Sequence, residues 1–147
     1  GLYAGITAKE RPAATAKWGP VLTWDEGLAL PGGAQLAHLR RLYETLGWWR
    51  LEPWQPGKAT DGTLVRSVGH DVIVAYLPSA DPRRGEVGIT GLSEAADYRG
   101  EWFDPRSGVF SPIAAPLTVD RGTLRVPRAP SAEDWLLVAR VVRSGEP

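Results

Sequence analysis

Two hydrophobic periodicities divide the chain. From Gly33 to Leu46, apolar side chains recur at Leu36, Leu39, Tyr43 and Leu46, while Arg40, Arg41 and Glu44 fall mainly on other faces. That is the spacing of an amphipathic helix. Pro31 and Gly32 punctuate its start, and Gly47 stands where a left-handed glycine ends a helix. The texture changes between Trp48 and Gly57, and short β-rich runs follow: Thr63 to Val68, Asp71 to Leu77, Glu86 to Thr90, Tyr98 to Phe103, Val109 to Ser111, Leu117 to Val119, Thr123 to Val126 and Trp135 to Val142. Eight such runs predict a mainly β fold, an antiparallel β-sandwich of two packed sheets. Turn chemistry separates them: Pro78, Asp81 and Pro82 in one gap, Asp104-Pro105-Arg106-Ser107-Gly108 in another, Asp120-Arg121-Gly122 in a third. In the second gap Pro105 suits the first central position of a type I turn, and Gly108 can take the positive φ that returns the chain to the next strand.

Upstream of the helix, Leu2-Tyr3-Ala4-Gly5-Ile6-Thr7 reads as a short buried strand. Residues Ala8 to Leu30, with Pro12, Gly19, Pro20 and Gly27 and little periodicity, read as a long loop. Loops of that length are usually functional or disordered. A strand, a loop and one amphipathic helix cannot bury a core among themselves, so this part of the chain needs a neighbour.

Composition narrows the partner. The 147 residues carry seventeen Lys and Arg against seventeen Asp and Glu. This balance lacks the electrostatic footprint of a nucleic-acid or anionic-membrane binder, and a neutral partner is favoured. Without Cys there is no disulfide framework, thiolate nucleophile or Cys-ligated metal. No stretch reaches the roughly 18 to 20 apolar residues of a membrane span, and the first thirty residues lack the apolar core of a signal peptide. A chain without Met that begins Gly1-Leu2-Tyr3 is expected to be a processed or truncated piece of a longer one. Its seven Trp are a large aromatic investment that calls for a reason.

Candidate chemistry is sparse. His38 and His70, the only histidines, have no second ligand at metal-binding spacing, so no metal and no cofactor is expected. There is no Gly-x-Ser-x-Gly nucleophile motif, and the Gly32-Gly33 pair before the helix belongs to no phosphate-binding loop. Glycoside hydrolysis needs two carboxylates facing each other across a sugar. Asp25-Glu26 and Glu133-Asp134 are the visible acids, but adjacent residues in an extended segment point to opposite faces. Glu133 and Asp134 read as a solvated strand start. Asp25 and Glu26 follow Trp24 in the long loop, where an aromatic platform beside carboxylates suits a sugar; ordinary exposed loop acids are the other reading. Trp102 and Trp135 lie in β-runs and are expected to pack mostly in the core. Trp48 and Trp49 cannot both point the same way, and one is expected to plug the junction between the two parts. For Trp18, Trp24 and Trp54, carbohydrate stacking and domain contact both stay open. The candidate substrate-contact set is Trp18, Trp24, Asp25 and Glu26, with Trp54 and Trp102 as further aromatic candidates; no catalytic residue or metal ligand is assigned.

Several stretches together resemble a known family. Leu30-Pro31-Gly32-Gly33-Ala34-Gln35 leading to His38-Leu39-Arg40, then Trp48-Trp49-Arg50-Leu51-Glu52-Pro53, resembles the junction of catalytic barrel and C-terminal domain in apiosidase-like glycoside hydrolases. Ala75-Tyr76-Leu77-Pro78, Trp102 through Gly108, and Asp134-Trp135-Leu136-Leu137-Val138 look like that family's C-terminal β-sandwich, a domain labelled collagen-binding domain of a collagenase. The resemblance implies that residues 1–50 are the last strand, loop and helix of a (β/α)8 barrel and residues 51–147 the sandwich. It implies a polysaccharide-acting parent, secreted or periplasmic, whose missing barrel, or another chain, would meet the Leu36, Leu39, Tyr43 and Leu46 face. The segment with Trp18, Trp24, Asp25 and Glu26 would then border the sugar site. The family's catalytic carboxylates come from earlier barrel strands, so none carries over, and the chain alone is not expected to hydrolyse anything. A protein- or glycan-binding module without enzymatic activity is the alternative.

Overall fold

The computed structural model describes residues 23–54, 64–79 and 87–142. The expected strand Leu2 to Thr7, most of the expected loop, and Trp18 lie outside the described residues.

The strand β9, Trp135–Val141, organises the fold. Trp135 through Ala139 are all buried, a continuous apolar run rather than an alternation, so both faces of the strand need cover. It lies between β3, Val72–Leu77, and β5, Asp97–Asp104, paired antiparallel to each. Beyond β3 come β2, Leu64–Val68, and the two-residue β1, Glu52–Pro53. The other edge of β5 is shared: its C-terminal half pairs with β6, Val109–Pro112, and its start with β7, Leu117–Asp120. From β7 the sheet curls over through β8, Thr123–Arg125, to β4, Gly88–Thr90. All eight β-runs expected from sequence are present, β1 is added, and the protein is mainly β. The two expected layers are joined through β7 into one curled antiparallel sheet of nine strands among the described residues.

Between the layers lies the main core. Ile73, Ala75 and Leu77 of β3, Tyr98 and Trp102 of β5, and Trp135, Leu137 and Ala139 of β9 face Ile89, Leu117, Val119 and Leu124. The strand β7 alternates buried and exposed positions, as expected for one covered face. On β3 and β9 the alternate residues, Val74, Leu136 and Val138, form a second core with Phe103 under a helix.

That helix, α2, runs Pro31–Leu46. Pro31, expected to precede the helix, is its first residue, where a fixed φ is pre-organised and the missing N–H costs nothing. Gly47 ends it at φ 66° as expected, its N–H donating to Tyr43 and Glu44 carbonyls. The most deeply buried helix residue is Leu42, with Leu46 beside it and Leu39 and Tyr43 half-buried. Much of the apolar stripe for which the sequence demanded a neighbour thus packs on the chain's own sheet, and Leu36 is left outside. The helix covers the sheet only as far as it stays apolar: beyond Phe103 and Val138, Arg140 donates to Glu101 at 2.8 Å. The β5–β6 turn fixes the helix's other flank. Gly108 has φ 72°, Arg41 donates to its carbonyl, and a Cβ there would come within 2.5 Å of His38 Nδ1.

A second helix, α1, Trp24–Leu28, occupies the end of the expected loop, preceded by the buried Thr23. The turn Trp48–Arg50 follows Gly47 as a single 3-10 turn and carries both indoles outward, contrary to the expected plug. Leu51, 8% exposed, fills the junction instead.

Leu42→Ala is expected to cost about 2–5 kcal/mol in denaturant unfolding, because a buried cavity opens beneath α2, whereas Leu36→Ala should stay within about 0.5 kcal/mol. Gly108→Ala should cost at least about 1–2 kcal/mol from its left-handed backbone. In a double-mutant cycle His38→Ala should recover the steric part of that loss.

Candidate functional site

The sequence candidates fall in different places. Asp25 and Glu26 form the first turn of α1. Glu26 Oε2 accepts the backbone N–H of Thr23 at 2.8 Å, a carboxylate closing an N-terminal cap, and both acids are exposed. Trp24 begins the same helix, and its side chain lies outside what is described. Trp54 is half-buried: its indole N–H donates to the Thr90 carbonyl at 3.0 Å and its ring leans on His70, tying the β1 edge to β4. Trp102 is 5% exposed and meets Trp135 edge to face at 6.3 Å, so the core reading of these two indoles holds. His70 is engaged by Trp54 and His38 lies against Gly108. Among the described residues no group of three or more His, Cys, Asp or Glu is gathered as a metal site.

A groove of about 540 Å³ runs between α2 and the sheet. Gln35, Leu36, Leu39 and Tyr43 form one wall, and Val74, Tyr76 and Leu136 the floor. Val74 of β3 and Leu136 of β9 belong both to this floor and to the core under α2. Arg106 and Asp134 close one end. Tyr43 also borders a second recess with Arg40, Glu44, Trp48 and Leu51, so the two continue along one flank of α2.

The polar groups at the closed end hold the scaffold. Asp104 Oδ1 accepts both the backbone N–H and the Nε of Arg106, at 2.9 and 2.8 Å. The Arg106 guanidinium lies 5.3 Å from the Trp135 ring and reaches Glu133 at 3.5 Å. Trp135 donates to Ser131 Oγ, and Asp134 accepts the Ser79 N–H at 2.6 Å. Glu133 and Asp134, expected as a solvated strand start, therefore help pin the loops around β9. Partial burial pushes the Asp104 carboxyl upward, but hydrogen bonds from Arg106 and Ser107 and the charge of Arg106 outweigh it and hold the group below its ordinary value. Burial, then the Asp71 carboxylate, raises the Tyr98 hydroxyl, which donates to the His70 carbonyl. The groove thus offers a largely apolar floor and wall with one tyrosine on each, and its charged groups are already engaged. Sequence reasoning missed it because it arises from the helix's offset on the sheet; the signal that could have found it is the pair of unbroken apolar runs Val72–Leu77 and Trp135–Ala139.

No family model matches the chain, and no curated protein matches it. Solved structures do. One described as a glycoside hydrolase aligns with a TM-score of 0.58 at 19% identity, over 88% of this chain and 29% of that one. A glycoside hydrolase family 5 structure from Bacteroides vulgatus ATCC 8482 aligns with a TM-score of 0.58 at 20% identity, over 88% of this chain and 30% of that one. The chain thus spans under a third of the length of these neighbours, and the likeness is one of fold: a mainly β domain with a covering helix, of a kind found within glycoside hydrolase chains.

The lowered pKa of Asp104 sets a pH signature. Its stabilising contribution is fully present above the unfolded-state value near about 3.9 and is lost as pH falls through the lower folded-state value. Asp104→Asn should therefore lower the unfolding midpoint at pH 7, and the difference from the unmodified chain should shrink on acidification; an equal difference at both pH values would exclude the linkage.

Proposed function

We propose that this chain is the C-terminal, non-catalytic portion of an apiosidase-like glycoside hydrolase acting on polysaccharide, with the β-domain as a structural or substrate-positioning accessory. The observation that carries the reading is the match of 88% of this chain to under a third of glycoside hydrolase chains. The residue motifs around Pro31, Trp48-Trp49 and Trp102 through Gly108 support the narrower family. On this reading residues 1–50 complete a barrel and 51–147 form the accessory domain. The segment holding Trp18, Trp24, Asp25 and Glu26 would on this reading border the sugar cleft; Asp25 and Glu26 are both exposed, and Glu26 also caps α1.

The chain alone is expected to release no reducing sugar from a panel of plant and microbial polysaccharides, and the polypeptide translated from the whole open reading frame is expected to do so. Hydrolysis by the 147 residues alone, or an initiator codon directly before Gly1, would overturn the proposal. Retention on a glycan array or on collagen, with no hydrolysis by the longer polypeptide, would establish the binding-module alternative.

A further inference from the structure

Exposed apolar side chains are unevenly placed. Of the seven large hydrophobic residues exposed among those described, four, Leu28, Leu36, Trp48 and Trp49, lie between residues 28 and 49. Leu36 is 52% exposed, Trp48 59% and Trp49 68%. Tyr43 lines both recesses along α2, so Leu36, Tyr43 and Trp48 form one strip, which Trp49 extends through its ring contact with Trp48. From Leu36 to Trp49 at helical rise the strip is roughly 20 Å long. A contiguous apolar surface of this kind marks an interaction site. It shares Leu36 and Tyr43 with the stripe read from the sequence, but Leu46 is already spent on the sheet and Trp48 and Trp49 extend the surface instead.

We infer that this strip, Leu36, Tyr43, Trp48 and Trp49, is the seat of the remaining, catalytic portion of the same polypeptide, docking through an apolar protein surface. The inference rests on the proposed function above. In each neighbouring hydrolase more than two thirds of the chain lies outside the part matched by this one, so a further body of protein accompanies this fold there. The strip's chemistry suits protein better than sugar. The indoles meet at 80°, edge against face, so they do not present coplanar platforms for successive sugar rings. The charged neighbours in the second recess, Arg40 and Glu44, are joined to each other at 2.7 Å, leaving the flank with little net charge and few polar groups to read hydroxyls. Docking covers the indoles and leaves that ion pair at the polar rim, the arrangement of a typical interface.

Hydroxyl-radical footprinting with mass spectrometry tests this on the 147-residue chain and on the polypeptide encoded by the full open reading frame. Labelling of Leu36, Trp48 and Trp49 is expected to fall several-fold in the longer polypeptide, while that of Val109 and Phe110, on the β5–β6 hairpin, stays level. A catalytic domain in the reading frame with undiminished labelling of the strip overturns the inference and leaves the functional reading standing. A reading frame with no such domain overturns both. Protection of the isolated chain by soluble polysaccharide, or concentration-dependent protection lost on dilution, overturns it in favour of a glycan or a second copy of the chain.

Discussion

The constraint on which the structure depends is a strand with no polar face. Trp135 through Ala139 must be removed from water on both sides, and no single layer can do that. The curled sheet of β7, β8 and β4 covers one face and α2 the other. From this follows the character of each remaining element. The strand β7 needs only one apolar face and alternates, whereas β3, beside β9, is apolar on both. The loops at the start of β9 are held by Asp104, Arg106, Ser131, Glu133 and Asp134, so the acids nearest the groove serve the placement of the central strand.

This division bears on function. The recess of about 540 Å³ belongs to the contact between helix and sheet, and its charged groups, Arg106 and Asp134, are engaged by Asp104 and the Ser79 N–H. Asp25 and Glu26 lie on α1 and do not line it. Among the described residues, exposed indoles and leucines gather on the helical side of the molecule, while the outer face of β7 carries polar Thr118 and Asp120. The fold is shared with parts of much longer hydrolases.

Much of the local structure was legible in the sequence because it obeys short-range rules. Gly47 and Gly108 stand where left-handed backbone is required, and the β-runs are bounded by turn residues. The misses have equally local causes. Five residues give α1 too little length for a period, and the cap formed by Thr23 and Glu26 was its remaining signature. The residues Leu36, Leu39, Tyr43 and Leu46 trace a helical stripe, but the most buried residue, Leu42, lies beyond its Leu46 edge, so the stripe alone put the buried axis too close to Leu36. The order of the strands, the shared edge of β5 and the groove beside α2 are long-range outcomes. They depend on which surfaces find each other, and no window of neighbouring residues encodes that. The candidate site was legible mainly as residue types: the acid pair and the tryptophans could be named and Trp102 and Trp135 assigned to the core, but not that Glu26 would be used as a cap.

The central strand is also the last of the described strands to be made. Until residues 135–141 have left the ribosome, β3 and β5 each keep an unpaired edge, and the second core under α2 lacks Leu136 and Val138. The hairpins β2–β3, β5–β6 and β7–β8 can form locally, but joining them waits for pairings that span tens of residues, a topology that folds slowly and exposes edges meanwhile. During synthesis the nascent sheet is thus a set of hairpins with open sides until residues 135–141 pair with both β3 and β5.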